Sequence, residues 1–344
     1  MSLARAIETG DLTALPSRRD EDWRWTDLRG LVRSLPPASP ANDTALPPGP
    51  FEDLGESIIK VNGGGPERLA IESGERRIVA LRFIAGAGAG AHVARFSVDI
   101  ADGAELTLLE SYEGAGDGYL TEAGMSIDLG RGARLERIVM ARDGADAISV
   151  SLAEVTLAAG ARLAQTILTS GAKRQRLETR VIHPGGGARV RLDGVYRLAE
   201  RRHADITTLV THAGVDGATD QLVKGVVHDQ ARGVFQGRIV VLPGADRTDA
   251  RMGHHALVLS DRAEVDAKPE LEIYADDVAC AHGNTVGALD EEALFYARQR
   301  GIPEAAAKAM LTEAFLAEVI DRIGHDGARD VAHAWLASRL KAAP

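Results

Sequence analysis

The sequence has very little cysteine and few aromatic residues. Cys280 is the only cysteine among 344 residues, so the chain cannot form an internal disulfide, and nothing in it indicates an oxidising compartment. Phe, Trp and Tyr together make up 4% of the chain. A thick core built on large rings is therefore not expected, and small aliphatic side chains must supply most of the interior.

Positive charge and long apolar runs are also scarce. The net charge is −10, and a nucleic-acid partner is not expected because binding its phosphate backbone usually requires a basic face. No run approaches the roughly 18 apolar residues of a membrane span, and residues 1–12 lack the apolar centre of a secretory signal. These absences predict a cytoplasmic protein that neither spans a membrane nor binds nucleic acid.

Glycine, in contrast, is abundant: 37 of 344 residues, about 11% against a usual value of about 7%. From about residue 57 onward, short segments rich in Val, Ile and Leu are separated by Gly or Asp, which is typical of strands separated by turns. A Gly-Ala-x-aliphatic motif recurs in this region at intervals of 29, 28 and 27 residues. The four copies begin at Gly103, Gly132, Gly160 and Gly187.

This near-constant period is typical of stacked repeats, in which each unit buries its apolar face against its neighbours. Because the repeats are strand-like, the sequence predicts a mainly β fold with a β-helix core. A β-sandwich is the alternative, since it also contains many short strands joined by turns.

The two ends of the chain differ from this strand-rich middle. Residues 1–35 are predicted to be helical and anchored by Trp23 and Trp25, and residues 35–50, with six prolines, to form an extended linker. Helix is predicted to return at Leu289, with carboxylates in its first turn. The predicted parts are a helical region and linker at residues 1–50, a β-helix core at 51–288 and a helical region at 289–344.

The stretch around Cys280 contains the candidate site. In an extended segment, residues two apart face the same side, so the Cys280 thiol and the His282 imidazole would converge as metal ligands do. A buried, inert cysteine beside a turn histidine explains the same pattern, because free cysteines are often buried. Asp276 and Asp277 are expected to form a turn before this segment, with a paired-carboxylate site as the alternative.

Two neighbouring features are interpreted as structural. Lys268 and Pro269 are expected to end one strand and bend the chain into the next. His254 and His255 are adjacent in a strand-like run, so their side chains should point to opposite faces and should not chelate one metal together.

Several stretches resemble a known family. They are EDWRWTDL at residues 21–28, AEVDAKPELEIYADDVACAHG at residues 263–283 with TVG after it, and LDEEALFYARQRGI at residues 289–302. They are similar to the SufD branch of the SufB/SufD family, the scaffold subunits of the SUF iron–sulfur cluster assembly system. Asn284 departs from the family pattern, which usually has Ala there, and we expect it to lie in a turn, which Asn tolerates.

The resemblance implies a fold and a role. The fold is a right-handed parallel β-helix with helical ends. The role is that of a non-catalytic scaffold subunit in a SufB–SufC–SufD complex, in which the SufC ATPase drives cluster assembly at the SufB–SufD interface. Without SufB, a homodimer is the alternative assembly.

The resemblance also implies the site residues. Through the Cys-x-His-Gly motif, the resemblance assigns the cluster-assembly interface to His282 and Cys280. It makes His282 the candidate metal ligand. A cluster normally takes about four protein ligands, so the cofactor would be a transient iron–sulfur cluster or iron shared with the partner subunit, and none held by this chain alone. The candidate SufC-binding residues are Phe295, Tyr296, Leu311, Phe315 and Val319.

The alternative from another class is a β-helix enzyme that acts on carbohydrate. Such sites usually combine clustered Asp with rows of aromatic side chains for sugars, and aromatics are scarce here. Co-purification with an ATPase subunit would distinguish the scaffold from the enzyme.

Overall fold

The computed structural model describes residues 2–40, 46–88, 90–114 and 118–341; part of the predicted linker, residues 41–45, lies outside this range. Within the described residues the strands are β1 (Glu56–Val61), β2 (Arg68–Ile71), β3 (Arg76–Ala85), β4 (Ala91–Ile100), β5 (Glu105–Gly114), β6 (Leu120–Leu129), β7 (Arg134–Arg142), β8 (Ile148–Leu157), β9 (Arg162–Thr169), β10 (Arg174–His183), β11 (Arg189–Leu198), β12 (His203–His212), β13 (Ala218–Val227), β14 (Arg232–Val241), β15 (Thr248–Val258), β16 (Glu264–Ile273) and β17 (Val278–Gly287). The α-helices are α1 (Leu3–Thr9), α2 (Glu291–Gln299), α3 (Glu304–Ile320) and α4 (Asp326–Lys341).

The strands form two parallel sheets, and successive strands of the chain belong alternately to one sheet and the other. Within the described residues, the odd-numbered strands make a nine-stranded sheet and the even-numbered strands an eight-stranded sheet, each in sequence order. Every coil of the chain therefore adds one strand to each sheet, which is a parallel β-solenoid. The predicted β-helix is confirmed, and the β-sandwich is wrong because sandwich sheets are antiparallel.

The recurring Gly-Ala motif forms the same turn in successive coils. Gly103, Gly132, Gly160 and Gly187 all have φ between 66° and 74°, a region that favours glycine. The alanine after each glycine is fully buried. Each of the four glycine N–H groups donates to a carbonyl of the next coil at 2.9 Å, so the turns stack on one another as the strands do.

The interior is filled mainly by aliphatic side chains, but a polar chain crosses it at one level. Arg137 on β7 donates to both carboxylate oxygens of Glu110 on β5, each at 2.7 Å, and to Gln165 on β9 at 2.6 Å. Gln165 donates to Thr179 on β10 at 3.1 Å and so links the two sheets. Removing one partner of such a buried ion pair typically costs about 3–5 kcal/mol, because the other charge remains buried.

Helices α3 and α4 cover the outer face of the nine-stranded sheet. Leu316, Val319 and Ile320 of α3 are fully buried there, with the outward side chains Leu109 and Ile138 among their cluster. Four polar contacts fix the helices in place: Lys224 pairs with Glu318, Arg322 with both Asp193 and Asp220, and the Gly324 N–H donates to Glu136. Helices α3 and α4 are therefore part of the solenoid's own packing.

The N-terminal segment lies on the outer face of the eight-stranded sheet. The prediction that residues 1–35 are helical is wrong beyond α1, since the remainder consists of turns and irregular chain with two short 3₁₀ turns. Trp23 stacks over the buried Arg176 guanidinium at 4.4 Å, and Arg176 donates to the Asp22 carbonyl at 2.6 Å and to Asp205 at 2.8 Å. Side chains of the sheet thus satisfy part of the backbone of this segment, including the Asp22 and Trp25 carbonyls.

Buried histidines make the stability of this fold depend on pH. Burial lowers the pKa of His203 and His212 to about 3, and of His92 and His254 to about 4. These groups stay neutral in the folded protein below pH 6.5, where the unfolded chain binds protons. We therefore expect the free energy of unfolding to fall between pH 7 and pH 5, by up to about 1.4 kcal/mol per histidine per pH unit, in urea titrations.

One buried carboxyl, that of Asp193, changes the pH dependence of stability in the opposite direction. Burial raises the pKa of Asp193 to about 7, so its protonation as the pH falls favours the folded state and offsets part of the histidine effect. The matched variant is Asp193→Asn, in which the loss of stability between pH 7 and pH 5 should be steeper. Stability that is constant or rises towards pH 5 in both proteins would contradict the assignment.

Candidate functional site at the open end of the solenoid

The C-terminal end of the solenoid presents two strand edges. Strand β17 pairs with β15, and β16 pairs with β14; within the described residues, the opposite edge of each has no partner strand. Ile273, Tyr274 and Val286 are large apolar residues exposed at this end. An unpaired edge bordered by apolar side chains is a template for another chain.

Pro269 limits how this edge can pair. The expectation that Lys268 and Pro269 end a strand is wrong, since both lie inside β16, where Pro269 is opposite Gly237. Proline is tolerated there because β16 is an edge strand and one missing N–H does not interrupt the sheet. Lys268 points outward and pairs with Glu21 at 2.7 Å.

Strand β17 carries Cys280 and His282 on its inward side. Cys280 lies beside the buried Ala250 and His282 beside the buried Met252, so both continue rows of the core. The structure thus places the two side chains on one face, as their spacing predicts. His282 is exposed because no further coil of the described chain covers it.

The Cys280 thiol is in a different environment from the imidazole. Cys280 is half-buried and packs against the interior of the solenoid. Burial raises the pKa of Cys280, an effect to which Asp249 adds, and a backbone hydrogen bond with Ala250 partly offsets it. The neutral thiol is therefore favoured, and of the two groups His282 is the more accessible.

Asn284 connects β17 to a buried aromatic stack. It lies inside the strand, so the expectation of a turn at this residue is wrong. Its amide oxygen can only accept, so His254 Nδ1 donates to it at 2.7 Å and His254 Nε2 accepts from the Tyr196 hydroxyl at 2.9 Å. Phe235 stacks on the His254 ring at 4.8 Å. His255 points to the other face, as predicted, and bonds Thr285.

The acidic pair forms the turn before β17. Asp276 and Asp277 lie between β16 and β17, as predicted, and the Asp277 carbonyl accepts from the Arg247 N–H at 2.6 Å. Asp277 and His282 are five positions apart in the sequence, which is about 16 Å at the usual rise per residue of a strand. Neither carboxylate is therefore a hydrogen-bond acceptor for the His282 ring.

Helix α2 is exposed and well capped. The Asp290 side chain accepts from the N–H groups of Glu292 and Ala293, which fixes the start of the helix just before its acidic first turn, as the sequence predicts. Phe295 and Tyr296 are 63% and 60% exposed, unusually high for large aromatic side chains. They form an apolar surface on the side of the helical region that faces solvent.

The apolar residues of α3 are divided between the solenoid and the surface. Val319 is fully buried, Phe315 is half-buried with the Lys224 ammonium 4.4 Å from its ring centre, and Leu311 is half-buried. Val319 is therefore inaccessible to a partner while α3 stays packed. Met310, which is 55% exposed, lies on the outer side.

Two kinds of feature are missing from the described part of the chain. In residues 2–40, 46–88, 90–114 and 118–341, no three or more His, Cys, Asp or Glu side chains are grouped so as to hold a metal ion. Within the same ranges, no helix has the length and apolar character needed to cross a membrane.

The fold and this end define a class of protein: a two-sheet parallel β-solenoid with a helical flank and an open end that carries a Cys-x-His pair. Residues 83–315, about two thirds of the chain, match the family described as SUF system FeS cluster assembly, SufBD core domain. The chain belongs to this family of iron–sulfur cluster assembly proteins.

Individual relatives agree with the family. The chain is 28% identical to the iron–sulfur cluster assembly protein SufD of Escherichia coli, over 95% of this chain and 90% of that protein. It is 34% identical to SufD of Bacillus subtilis over 36% of this chain and 29% of that protein. It is 29% identical to a SufBD family protein of Synechocystis over 67% of this chain and 52% of that protein.

We expect the Cys280 thiol to react slowly in the native protein. Its raised pKa leaves a smaller fraction of the thiol ionised at a given pH, and the thiolate is the form that reacts. The measurement is the rate of disulfide exchange with an aromatic disulfide at pH 8, native and in denaturant, with Cys280→Ala as the blank. A native rate equal to or above the unfolded rate would show that the thiol is activated.

Proposed function

We propose that this protein is a non-catalytic scaffold subunit on which iron–sulfur clusters are assembled together with a SufB-type partner. The observation that carries the proposal is the exposed His282, which continues an inward row of the core at the end where that row is uncovered. The cluster is the cargo of this site, held between two chains and then passed on.

The strand edges support a partner of similar fold. A second solenoid could extend both sheets through the free edges of β16 and β17, and the exposed Ile273 and Val286 would then be covered. Main-chain hydrogen bonds would provide affinity, and the apolar side chains specificity. The same edges would allow a homodimer when the SufB-type partner is absent.

The donor set supports a shared cluster. His282 offers one imidazole nitrogen, and Cys280 is the only thiol of the chain. Because iron–sulfur clusters usually have about four protein ligands, mostly thiolates, the partner would supply the remaining ligands. His282 is the candidate ligand from this chain, and Cys280 lies behind it.

The helical flank supports a second partner. Phe295 and Tyr296 are exposed on α2, beside a groove of about 1250 Å³ that α2 and α3 form with the solenoid. We infer that a SufC-type ATPase binds this surface through these aromatics and Phe315 or Leu311. Since α3 is packed on the nine-stranded sheet, movement of the ATPase would pull on the solenoid and so act on the shared site.

Replacing His282 tests the site. In a complex with SufB-type and SufC-type subunits, His282→Ala should lower bound iron and acid-labile sulfide on the order of tenfold, because a shared site with few ligands cannot lose one. The matched control is His255→Ala, a histidine of the neighbouring strand that points to the other face. Subunit content by mass and thermal stability should be unchanged in both.

Two results would contradict the site proposal. Normal cluster content in an intact His282→Ala complex would show that His282 is not a ligand. Equal loss in His255→Ala would show that any change at this end disturbs assembly. In cells that depend on the complex, complementation should fail for His282→Ala alone.

Replacing the exposed aromatics tests the second partner. Phe295→Ala combined with Tyr296→Ala should weaken ATPase-subunit binding on the order of tenfold, because truncating an aromatic anchor typically costs more than about 1 kcal/mol. The control is Ile182→Ala, an exposed apolar residue of the solenoid. Calorimetric titration gives the affinity, and unchanged binding by the double variant would place the contact elsewhere.

A further inference from the structure

A groove of about 800 Å³ lies on the outer face of the nine-stranded sheet, beside the connection between α3 and α4. Ala164 on β9 forms its floor, because this small side chain lies in register between Glu136 on β7 and Arg191 on β11. Gly324 closes one side through its hydrogen bond to Glu136. The volume is typical of a site for a small molecule.

Arginines line the rim of this groove. Arg134, Arg162 and Arg189 begin β7, β9 and β11 and are in register, so neighbouring residues lie about 4.8 Å apart along the solenoid. All three side chains are exposed. Like charges placed directly opposite one another destabilise a sheet, so this row is not explained by the stability of the fold.

The acidic groups near the rim neutralise only part of the row. Within the described residues, each already has a partner: Glu105 pairs with Arg134, Asp193 and Asp220 with Arg322, Asp249 with Arg251, and Asp216 with Arg247, while Glu136 accepts from the Gly324 N–H. Within the same ranges, the side chains of Arg162 and Arg189 have no hydrogen bond or ion pair. Arg189 is near enough to Asp216 to help Arg247 lower the pKa of that carboxyl. Two adjacent guanidinium groups with unused N–H donors therefore lie at the mouth of a groove on a chain whose net charge is −10.

We propose that Arg162 and Arg189 clamp the phosphate group of a small molecule whose remaining atoms occupy the groove over Ala164. Guanidinium groups bind phosphate oxygens through paired N–H donors, and two of them at this spacing can hold one tetrahedral anion from two sides. The ligand also relieves the repulsion within the row. This site is separate from the open end of the solenoid and does not depend on the scaffold role.

The experiment is a calorimetric titration of the purified full-length chain with sodium pyrophosphate at constant ionic strength. The expected result is saturable binding by the wild type and at least tenfold weaker binding by Arg162→Gln combined with Arg189→Gln. The matched control is Arg18→Gln combined with Arg19→Gln, an exposed pair on the N-terminal segment that changes the net charge equally. The control should bind like the wild type.

The outcomes distinguish a specific phosphate site from general electrostatic attraction of the anion to the protein surface. Absence of saturation in the wild type, equal weakening in both double variants, or full binding by Arg162→Gln with Arg189→Gln would each overturn the proposal. Thermal unfolding identifies a folding defect, which is not expected because both side chains are exposed. If Arg162→Gln with Arg189→Gln did unfold, Arg162→Lys would replace it, since lysine keeps the charge and loses the paired donors.

Inorganic phosphate and adenosine monophosphate distinguish the source of the anion. If both bind equally, the clamp recognises phosphate alone. If the nucleotide binds more tightly in the wild type, and the difference is lost when Ala164→Phe fills the floor, the groove also holds the rest of the ligand. Both results require the two arginines, and neither alters the predicted effect of His282→Ala on cluster content.

Discussion

The whole structure depends on one constraint: a coil of this solenoid can bury its apolar side chains only against the coils before and after it. In-register pairing fixes which residues meet, so a side chain in one coil selects its neighbour about 28 residues later. The Gly-Ala turn keeps that register by repeating the same backbone conformation at each corner. Anything built on the solenoid, inside or outside, is therefore arranged as a row.

The same constraint explains why a polar side chain is paired inside the solenoid but accessible at its last coil and on its outer face. Inside the solenoid a polar side chain must find its partner in an adjacent coil, as Arg137 finds Glu110 and Gln165. At the last coil that the described residues form, there is no next neighbour, and a residue such as His282 is left accessible although it continues a buried row. On the outer face of the nine-stranded sheet, α3 and α4 cover the rows that they lie across, and beyond the helices a row of arginines stays exposed.

The repeat, the strand-rich core and the capped helix α2 could be predicted because they depend on local spacing and turn chemistry. The irregular conformation of the N-terminal segment could not be predicted, because it depends on the contact of Trp23 with Arg176, more than 150 residues away in sequence. The turn expected at Asn284 is wrong because the bond of this residue to His254 depends on the pairing of β15 with β17. In the sequence, the only sign of that pairing is the 30-residue offset between His254 and Asn284, which is close to the repeat period. The prediction that Pro269 ends a strand is wrong for a similar reason, because only the tertiary structure shows that its strand is at an edge.

The N-terminal segment has a consequence for the order of events during synthesis. Glu21 pairs with Lys268, so the segment cannot complete its contacts until 247 further residues have been made. At about 5–20 residues per second, this is a wait of roughly 12–50 seconds. Trp23 has no sheet to cover until Arg176 has been made, and until then the nascent chain displays an aromatic, acidic segment. The segment that carries Glu21 and Trp23 is therefore made long before it can reach its final position.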